Sequence, residues 1–318
     1  MQKDKKIAMI IAYYGKFPEL FYIWLNSTKS DYIDFFIITD NELPSTKNIK
    51  HINWSFNELQ ERMQRCFSYK IKLERPYKLC DYKPVYGRLL DEYLDEYMWW
   101  GYCDCDMVFG NIDKYIKPLL ESSCEKIGIN GHFTMMRNNN DMKLLYLIDH
   151  ELKEAYTHKE VYTTRHSCAY DEVGGGNFRY GLSYICDHVG IFQEKISDVV
   201  DLDVFEEAYC FELDGKKYEN VIFHKSGNSL YISNLRGEQL KEVFYVHFQK
   251  KSLQGEQLCK NHEDYWIYPK KISTELCDNY VFNYNKKYKK NMKKKIWKTR
   301  IKNGALFWLI RDIIKKQF

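Results

Sequence analysis

The sequence lacks three features that would place it in familiar classes of protein. Its ten cysteines form no C-x-x-C pair, so a zinc ribbon or a thioredoxin-like redox motif is unsupported. No apolar run reaches the length needed to span a bilayer. The opening segment, MQKDKKIAMIIAYY, has too short an apolar part and no small-residue cleavage site for a signal peptide. These absences favour a cytoplasmic protein whose thiols are reduced.

The chain does contain ample material for a large core. Hydrophobic residues make up 45% of its 318 residues and aromatic residues 16%, which excludes global disorder. The charge is uneven, because residues 284–318 carry 13 Lys or Arg and one acid, a net of about +12, which leaves about −8 on residues 1–283. An acidic body is a poor nucleic-acid binder and a suitable host for cations. We therefore expect a body at residues 1–283, a distinct tail at residues 284–318 and no nucleic-acid partner.

The first part of the body alternates between strand and helix patterns. Apolar runs predict buried strands, and helical spacing of apolar residues predicts helices between them. The strands are expected at residues 6–14, 34–40 and 49–54, and the helices at residues 18–27 and 56–67. Ser55 and Glu58 fit a capping box at the start of the second helix. Short connections between such elements predict right-handed β-α-β units, and therefore an α/β fold with a Rossmann-type sheet flanked by helices.

The remaining elements are less regular in pattern. Further helices are expected at residues 88–97, 112–120 and 141–156, and strands at residues 126–130 and 243–250. Residues 196–230 alternate and contain turn signals such as Asp214-Gly215, which predicts β-hairpins.

Two aspartates, Asp104 and Asp106, follow an apolar run at residues 98–100 and precede a turn at Gly110. A carboxylate is rarely left in so apolar a setting unless it is paired or binds a cation. Residues two apart leave a strand on the same side, so both carboxylates can face one ion. Mn²⁺ or Mg²⁺ suits oxygen ligands and usually shares them with phosphate oxygens. The alternative is a solvated turn, because D-x-D alone is a weak motif.

Candidate contacts to a nucleotide donor come from two other parts of the chain. Ligands of such sheets bind at the carboxyl ends of the strands, so the residues that end the first two predicted strands are expected to contact the donor, or else are turn and core residues: Tyr13, Tyr14, Thr39 and Asp40. Three charged residues before the D-x-D strand are expected to contact phosphate, base or sugar, or else form a solvated face: Lys78, Asp81 and Lys83.

Two carboxylates precede three glycines in the segment DEVGGGN, where a backbone can approach a ligand closely. Asp171 or Glu172 is expected to hold an acceptor hydroxyl or to act as its base, and a tight acidic turn is the alternative. His132 and Lys250 are further candidates for donor binding. His247 ends an aromatic strand late in the body, where it is either a third metal ligand or a core histidine.

The tail is expected to form a basic amphipathic helix. Residues 286–302 contain ten basic residues and no acid, and GALFWLIRDIIKKQF supplies an apolar face. Such a helix lies on an anionic membrane surface rather than spanning the membrane. Docking of the charged tail on a partner subunit is the alternative.

Six segments of the chain carry a resemblance: KIAMIIAYYGKFP, DFFIITD, LERPYKLCDYKPVYG, WWGYCDCDMVFGNI, GHFTMMRN and YDEVGGG. Together they resemble a group of bacterial glycosyltransferase-like proteins associated with loci for capsular and other surface polysaccharides. More distantly, the chain is similar to GT-A glycosyltransferases, which place a D-x-D at the end of a central strand. The resemblance covers roughly residues 5–250 and leaves out the tail.

The resemblance implies a GT-A-like mixed sheet and specific roles for the matching residues. Asp104 would meet the ribose or the donor sugar, and Asp106 would bind the metal. His247 resembles the late histidine that completes the metal shell in some retaining members, and Tyr13 matches the nucleotide-contacting end of the first strand.

We therefore expect a metal-dependent glycosyltransferase that uses a nucleotide-diphosphate sugar, with a UDP-sugar as the first choice. Its acceptor would be a lipid-linked glycan, and the enzyme would be peripheral at the inner face of the cell membrane. Lys78 or Lys250 would add charge stabilisation. A metal-dependent nucleotidyltransferase or phosphohydrolase, and a membrane-binding adaptor without enzyme activity, are the rival hypotheses.

Overall fold

A computed structural model describes residues 6–176, 178–249, 251–255, 262–277, 279–282 and 286–302. Its α-helices are α1 (Leu20–Ser27), α2 (Phe56–Arg65), α3 (Tyr86–Leu89), α4 (Ile112–Leu119), α5 (Asn140–Leu144), α6 (His158–Thr163), α7 (Leu182–His188) and α8 (Lys286–Lys302). Short 3₁₀ helices cover Pro76–Val85, Asp91–Tyr93 and Leu145–Leu147.

The strands fall into three sheets. They are β1 (Ile7–Ala12), β2 (Ile33–Ile38), β3 (Ile49–Ile52), β4 (Trp99–Cys103), β5 (Met107–Phe109), β6 (Lys126–Asn130), β7 (Phe133–Arg137), β8 (Gln193–Glu194), β9 (Val199–Asp201), β10 (Tyr209–Leu213), β11 (Lys216–Ser226), β12 (Ser229–Ser233), β13 (Gln239–Glu242), β14 (Tyr245–His247), β15 (Asp264–Tyr268) and β16 (Lys271–Ser273).

The largest sheet has seven strands in the order β3-β2-β1-β4-β7-β6-β8. Strands β3, β2, β1 and β4 are parallel, and β7 runs antiparallel to both β4 and β6. The predicted mixed α/β architecture is therefore confirmed. The capping box of Ser55 and Glu58 at the start of α2 is also present.

Continuous apolar runs form the central strands because both faces of the sheet are covered. On β4, Trp100 and Tyr102 pack into the core on one face, and Trp99 and Cys103 pack into the core on the other. This strand therefore runs through the interior and reaches the edge of the core only where the two aspartates follow.

The second sheet is antiparallel, with β13-β12-β11-β15-β16 in order and β10 paired to β11. Asp214 and Gly215 join β10 to β11 with positive φ values of 52° and 71°, as a tight hairpin turn requires, so the hairpin prediction is confirmed here. A third, three-stranded sheet places β14 antiparallel to β5 and parallel to β9. This small sheet brings the chain after residue 196 back to the D-x-D segment.

Two predicted helices are wrong in length. The helix expected at residues 88–97 is only α3 and one 3₁₀ turn, and the helix expected at residues 141–156 ends after Leu145–Leu147. Ile148 leaves the helix with ψ at 128°. The backbone at Tyr156 donates to Tyr180 instead, and the amide of Tyr180 donates to Glu154. This pairing with a distant segment outweighs the local helical pattern.

The described part of the tail is the helix α8, which is dominated by lysine. Lys289 forms an ion pair with Glu206 of the body, and Trp297 is 57% exposed. The apolar face expected of the tail depends on residues 303–318, which lie outside the described residues. None of the helices among the described residues is long and apolar enough to cross a membrane.

Candidate metal and nucleotide site

The two aspartates of the D-x-D motif lie where β4 ends, in the short link to β5. The amide of Asp104 donates to the carbonyl of His132 at 3.0 Å, and the carbonyl of Asp106 accepts from the amide of Phe248 at 2.9 Å. These two backbone hydrogen bonds, one to the residue before β7 and one from the residue after β14, hold the link in place. Both side chains line a cavity of about 950 Å³.

His247 is brought to the aspartates by β14. Its Nε2 lies 3.3 Å from Oδ1 of Asp106 and 3.8 Å from Oδ2 of Asp104. Burial by itself would lower the pKa of His247, but hydrogen bonds with Asp106 and Asp201 raise it to about 10. The protonated ring thus lies beside the carboxylates of Asp104, Asp106 and Asp201 and offsets part of their negative charge. One ligand atom from each of Asp104, Asp106 and His247 lies within 4.8 Å of the others, and such a donor set suits a divalent ion.

Asp201 is a site residue that was not predicted from the sequence. Its Oδ1 lies 2.8 Å from Nδ1 of His247 and accepts a second bond from Gln249 at 2.8 Å. These bonds keep the pKa of the Asp201 carboxyl low despite burial. The motif D-V-V-D, a short apolar run that ends in a carboxylate, is the signal that indicates a strand ending in a functional residue. Its pairing with β14 places Asp201 directly opposite His247.

His132 lies beside His247, with ring centroids 4.5 Å apart. Its Nδ1 is 2.9 Å from the hydroxyl of Tyr245. Burial, and next the positive charge of His247, lower the pKa of His132 to about 3. His132 is therefore neutral while His247 is charged, although the two rings are neighbours.

Lys83 joins the D-x-D motif to the segment that precedes the three glycines. Its Nζ lies 2.7 Å from Asp104 and 2.9 Å from Asp171, and it donates to the carbonyl of Gly131 at 2.8 Å. Burial opposes the charge on Lys83, but the two carboxylates outweigh it and hold its pKa well above the usual range. Burial raises the pKa of Asp171 to about 6 although Lys83 lies beside it.

Glu172 is open to the same cavity. Desolvation by the surrounding protein, and then the charge of Asp171, raise the pKa of Glu172 to about 7. A carboxyl group with such a pKa can exchange a proton near neutral pH, as a general base must. The predicted residues that meet around the cavity are Tyr13, Lys83, Asp104, Asp106, His132, Asp171, Glu172 and His247.

Lys78 and Asp81 do not reach the cavity, which corrects the prediction that they contact a donor. In a 3₁₀ helix residues three apart share one face, and these two form a buried ion pair of 2.6 Å. Lys78 also donates to the carbonyl of Val161, and Asp81 accepts from the amides of Cys168 and Tyr170. The pair therefore fixes the 3₁₀ helix Pro76–Val85 to the segment that contains Val161, Cys168 and Tyr170. Lys83 lies on another face of the same helix.

Three other predicted donor contacts also lie away from the cavity lining. The ring of Tyr14 packs against Phe56, on the opposite side of the chain from Tyr13. The hydroxyl of Thr39 is buried and accepts from the amide of Asn41, and Asp40 is exposed. Lys250 lies outside the described residues. Its neighbour Lys251, which was not predicted, lines the cavity.

The fold and the site together define a mixed α/β protein with a carboxylate- and imidazole-lined cavity at the carboxyl end of a central strand. The chain belongs to DUF6625, a family of unknown function whose model matches residues 9–276. The match begins in β1 and ends beyond β16, so it covers the cavity and leaves out α8. A comparison with curated proteins finds no match.

Proposed function

We propose that the protein is a metal-dependent glycosyltransferase that takes a sugar from a nucleotide-diphosphate sugar, with a UDP-sugar as the expected donor. The observation that carries the proposal is the meeting of Asp104, Asp106 and His247 beside a cavity of about 950 Å³. A cavity of that size is within the range used by small-molecule ligands. A D-x-D pair at the end of β4, in the middle of a mixed sheet, supports a GT-A-like assignment.

Asp104, Asp106 and His247 would hold Mn²⁺ or Mg²⁺. The ion would neutralise negative charge on the departing nucleoside diphosphate. The oxygen-rich donor set supports this role, because hard divalent ions share carboxylates with phosphate oxygens. Tyr13, which directly follows β1 and lines the cavity, is the expected contact for the nucleotide.

A positive charge for the diphosphate is available from Lys251. Burial lowers the pKa of Lys251 to about 8, so most of it is protonated at neutral pH. Its ammonium group donates to the carbonyl oxygens of Asp203 and Glu206. These bonds fix its position at the cavity wall. There Lys251 would provide the charge stabilisation that was first expected of Lys250.

Glu172 is the better of the two candidates for the acceptor base. Asp171 is buried and bonded to Lys83, so its carboxylate is held in place. Glu172 is exposed to the cavity and its pKa of about 7 suits proton uptake from an acceptor hydroxyl. We assign Asp171 to positioning and Glu172 to proton transfer.

The acceptor is proposed to be a lipid-linked glycan of a bacterial surface polysaccharide, met at the inner face of the membrane. The support is the basic helix α8, because clustered lysines are attracted to anionic lipid headgroups.

Thermal unfolding with UDP, GDP, CMP and ADP, each with and without Mn²⁺, tests the proposal. A ligand that binds only the native state raises the unfolding midpoint. We expect one nucleotide to raise it only with metal, and the effect to vanish in Asp106→Ala but not in the surface control Asp31→Ala. A shift that survives Asp106→Ala, or no shift with any nucleotide, would refute the proposal.

Product analysis separates the rival functions. A glycosyltransferase releases a nucleoside diphosphate, whereas a nucleotidyltransferase releases pyrophosphate and a phosphohydrolase releases phosphate. A membrane adaptor would lose salt-sensitive binding to anionic vesicles when residues 284–318 are deleted, and would be indifferent to substitution of Asp104 and Asp106.

A further inference from the structure

His132 has a ring nitrogen with no assigned use. The residue is 6% exposed and lines the cavity. Its Nδ1 is occupied by the hydroxyl of Tyr245, whereas its Nε2 is buried and has no hydrogen-bond partner among the residues that the structure describes. Buried polar atoms are nearly always paired. An unused nitrogen in a cavity wall therefore indicates a ligand.

Two donors lie close to this nitrogen. His132, Asp201 and His247 each offer a ligand atom within 4.8 Å of the other two. Two ligands that are each about 2.1 Å from one ion lie at most about 4.2 Å apart, so small rotations bring the three side chains onto one cation. Two imidazoles and one carboxylate suit Zn²⁺ and similar transition-metal ions, whereas Mg²⁺ prefers oxygen ligands alone.

His247 belongs to this set and also to the Asp104–Asp106 pair. It faces Asp201 with Nδ1 and Asp106 with Nε2. A neutral imidazole has one nitrogen with a free lone pair, and its other nitrogen carries a proton. An ion bound through Nε2 leaves the Nδ1 proton to Asp201, and an ion bound through Nδ1 leaves the Nε2 proton to Asp106. The two positions therefore exclude each other.

We propose that His132, Asp201 and His247 form a second cation position, which takes Zn²⁺ and competes with an ion held by Asp104 and Asp106. The proposal rests on the proposed function for the role of the competing ion. Zinc in this position withdraws His247 from the D-x-D motif. The protein thus holds one ion at a time. Zn²⁺ at the nitrogen-rich position excludes Mn²⁺ or Mg²⁺ from the oxygen-rich position at Asp104 and Asp106.

Competition between Zn²⁺ and Mn²⁺ on the full chain tests the proposal. Electron paramagnetic resonance measures free Mn²⁺, and a chromophoric chelator measures Zn²⁺ affinity. In the wild-type protein, added Zn²⁺ should release bound Mn²⁺ one for one. His132→Phe should weaken Zn²⁺ binding by at least about tenfold and leave Mn²⁺ affinity within about twofold. Asp104→Asn should do the reverse.

The matched control is His158→Phe. His158 is also 6% exposed, and its Nδ1 is bonded to the hydroxyl of Tyr69 at 2.7 Å, so the control loses the same kind of pair away from the cavity. It should leave both affinities unchanged. Circular dichroism establishes that each variant folds, and His132→Gln replaces the phenylalanine variant if that one does not.

Unchanged Zn²⁺ affinity in a folded His132 variant, or simultaneous binding of Mn²⁺ and Zn²⁺ to one chain, would overturn the second position. These results are independent of the nucleotide experiment. If Zn²⁺ binding depends on His132 but no nucleotide shifts the unfolding midpoint, the glycosyltransferase proposal fails and the second cation position stands.

Discussion

The ammonium group of Lys83 lies 2.7 Å from Oδ1 of Asp104. The same group lies 2.9 Å from Oδ2 of Asp171, so one lysine links a predicted metal ligand to the segment expected to meet the acceptor. The positive charge of Lys83 therefore acts on the same carboxylate, Asp104, that a bound cation would contact.

Replacing Lys83 with methionine should destabilise the protein by about 3–5 kcal/mol, since it leaves carboxylates in a buried site without their cation. A divalent ion supplies some of the missing charge, so Mn²⁺ should raise the unfolding midpoint of Lys83→Met by more than it raises that of the wild type. Thermal unfolding with and without Mn²⁺ measures both effects. Lys78→Met is the control, because it breaks the buried pair with Asp81 away from the cavity and should gain nothing from the metal.

Asp201→Asn should lower Mn²⁺ affinity by about 10- to 100-fold, because the carboxylate orients His247 through Nδ1. Isothermal titration with Mn²⁺ measures the change. Asp203→Asn is the matched control, since Asp203 bonds the amide of Phe205 instead. Equal affinities in the wild type and Asp201→Asn would show that His247 needs no such support.

Activity should depend on pH through Glu172. With a pKa of about 7, the ionised base becomes scarcer as the pH falls, and kcat/KM should drop about tenfold per pH unit below 7. The slope should disappear in Glu172→Gln, along with most of the activity. A wild-type profile that stays flat down to pH 5.5 would remove Glu172 from proton transfer.

Lys225 should make the free energy of unfolding depend on pH above pH 7, whereas Glu172 affects activity below pH 7. Burial, and then the charge of Lys29, lower its pKa to about 7 in the folded state, against about 10.4 in the unfolded chain. Between these values the unfolded state binds more protons, so the free energy of unfolding rises with pH by up to about 1.4 kcal/mol per unit. The destabilisation caused by burying Lys225 is complete below about pH 7 and absent above about pH 10.4.

Lys225→Met should therefore be more stable than the wild type at pH 7, and its advantage should shrink towards pH 9. Urea unfolding at several pH values measures this difference. Lys216→Met, at an exposed position on the same strand β11, should show no such trend. A constant difference between Lys225→Met and the wild type would mean that Lys225 is protonated in the folded protein.

Local patterns in the sequence account for the core of the fold. Apolar runs predict β1 and β2, and the capping box of Ser55 and Glu58 predicts the start of α2. The aromatic run before Asp104 and Asp106 predicts a buried strand that ends in two carboxylates. Each of these features depends on neighbours within a few residues, so the sequence alone determines it.

Long-range packing decided the rest of the candidate site. Asp201 meets His247 only because β9 pairs with β14, and no periodicity announces the pairing of two three-residue strands. Lys78 and Lys83 are equivalent as charges in the sequence, but the 3₁₀ geometry turns the first to Asp81 and the second to the cavity. Tertiary structure chooses between such residues because a buried charge must find its partner in three dimensions, whatever its distance along the chain.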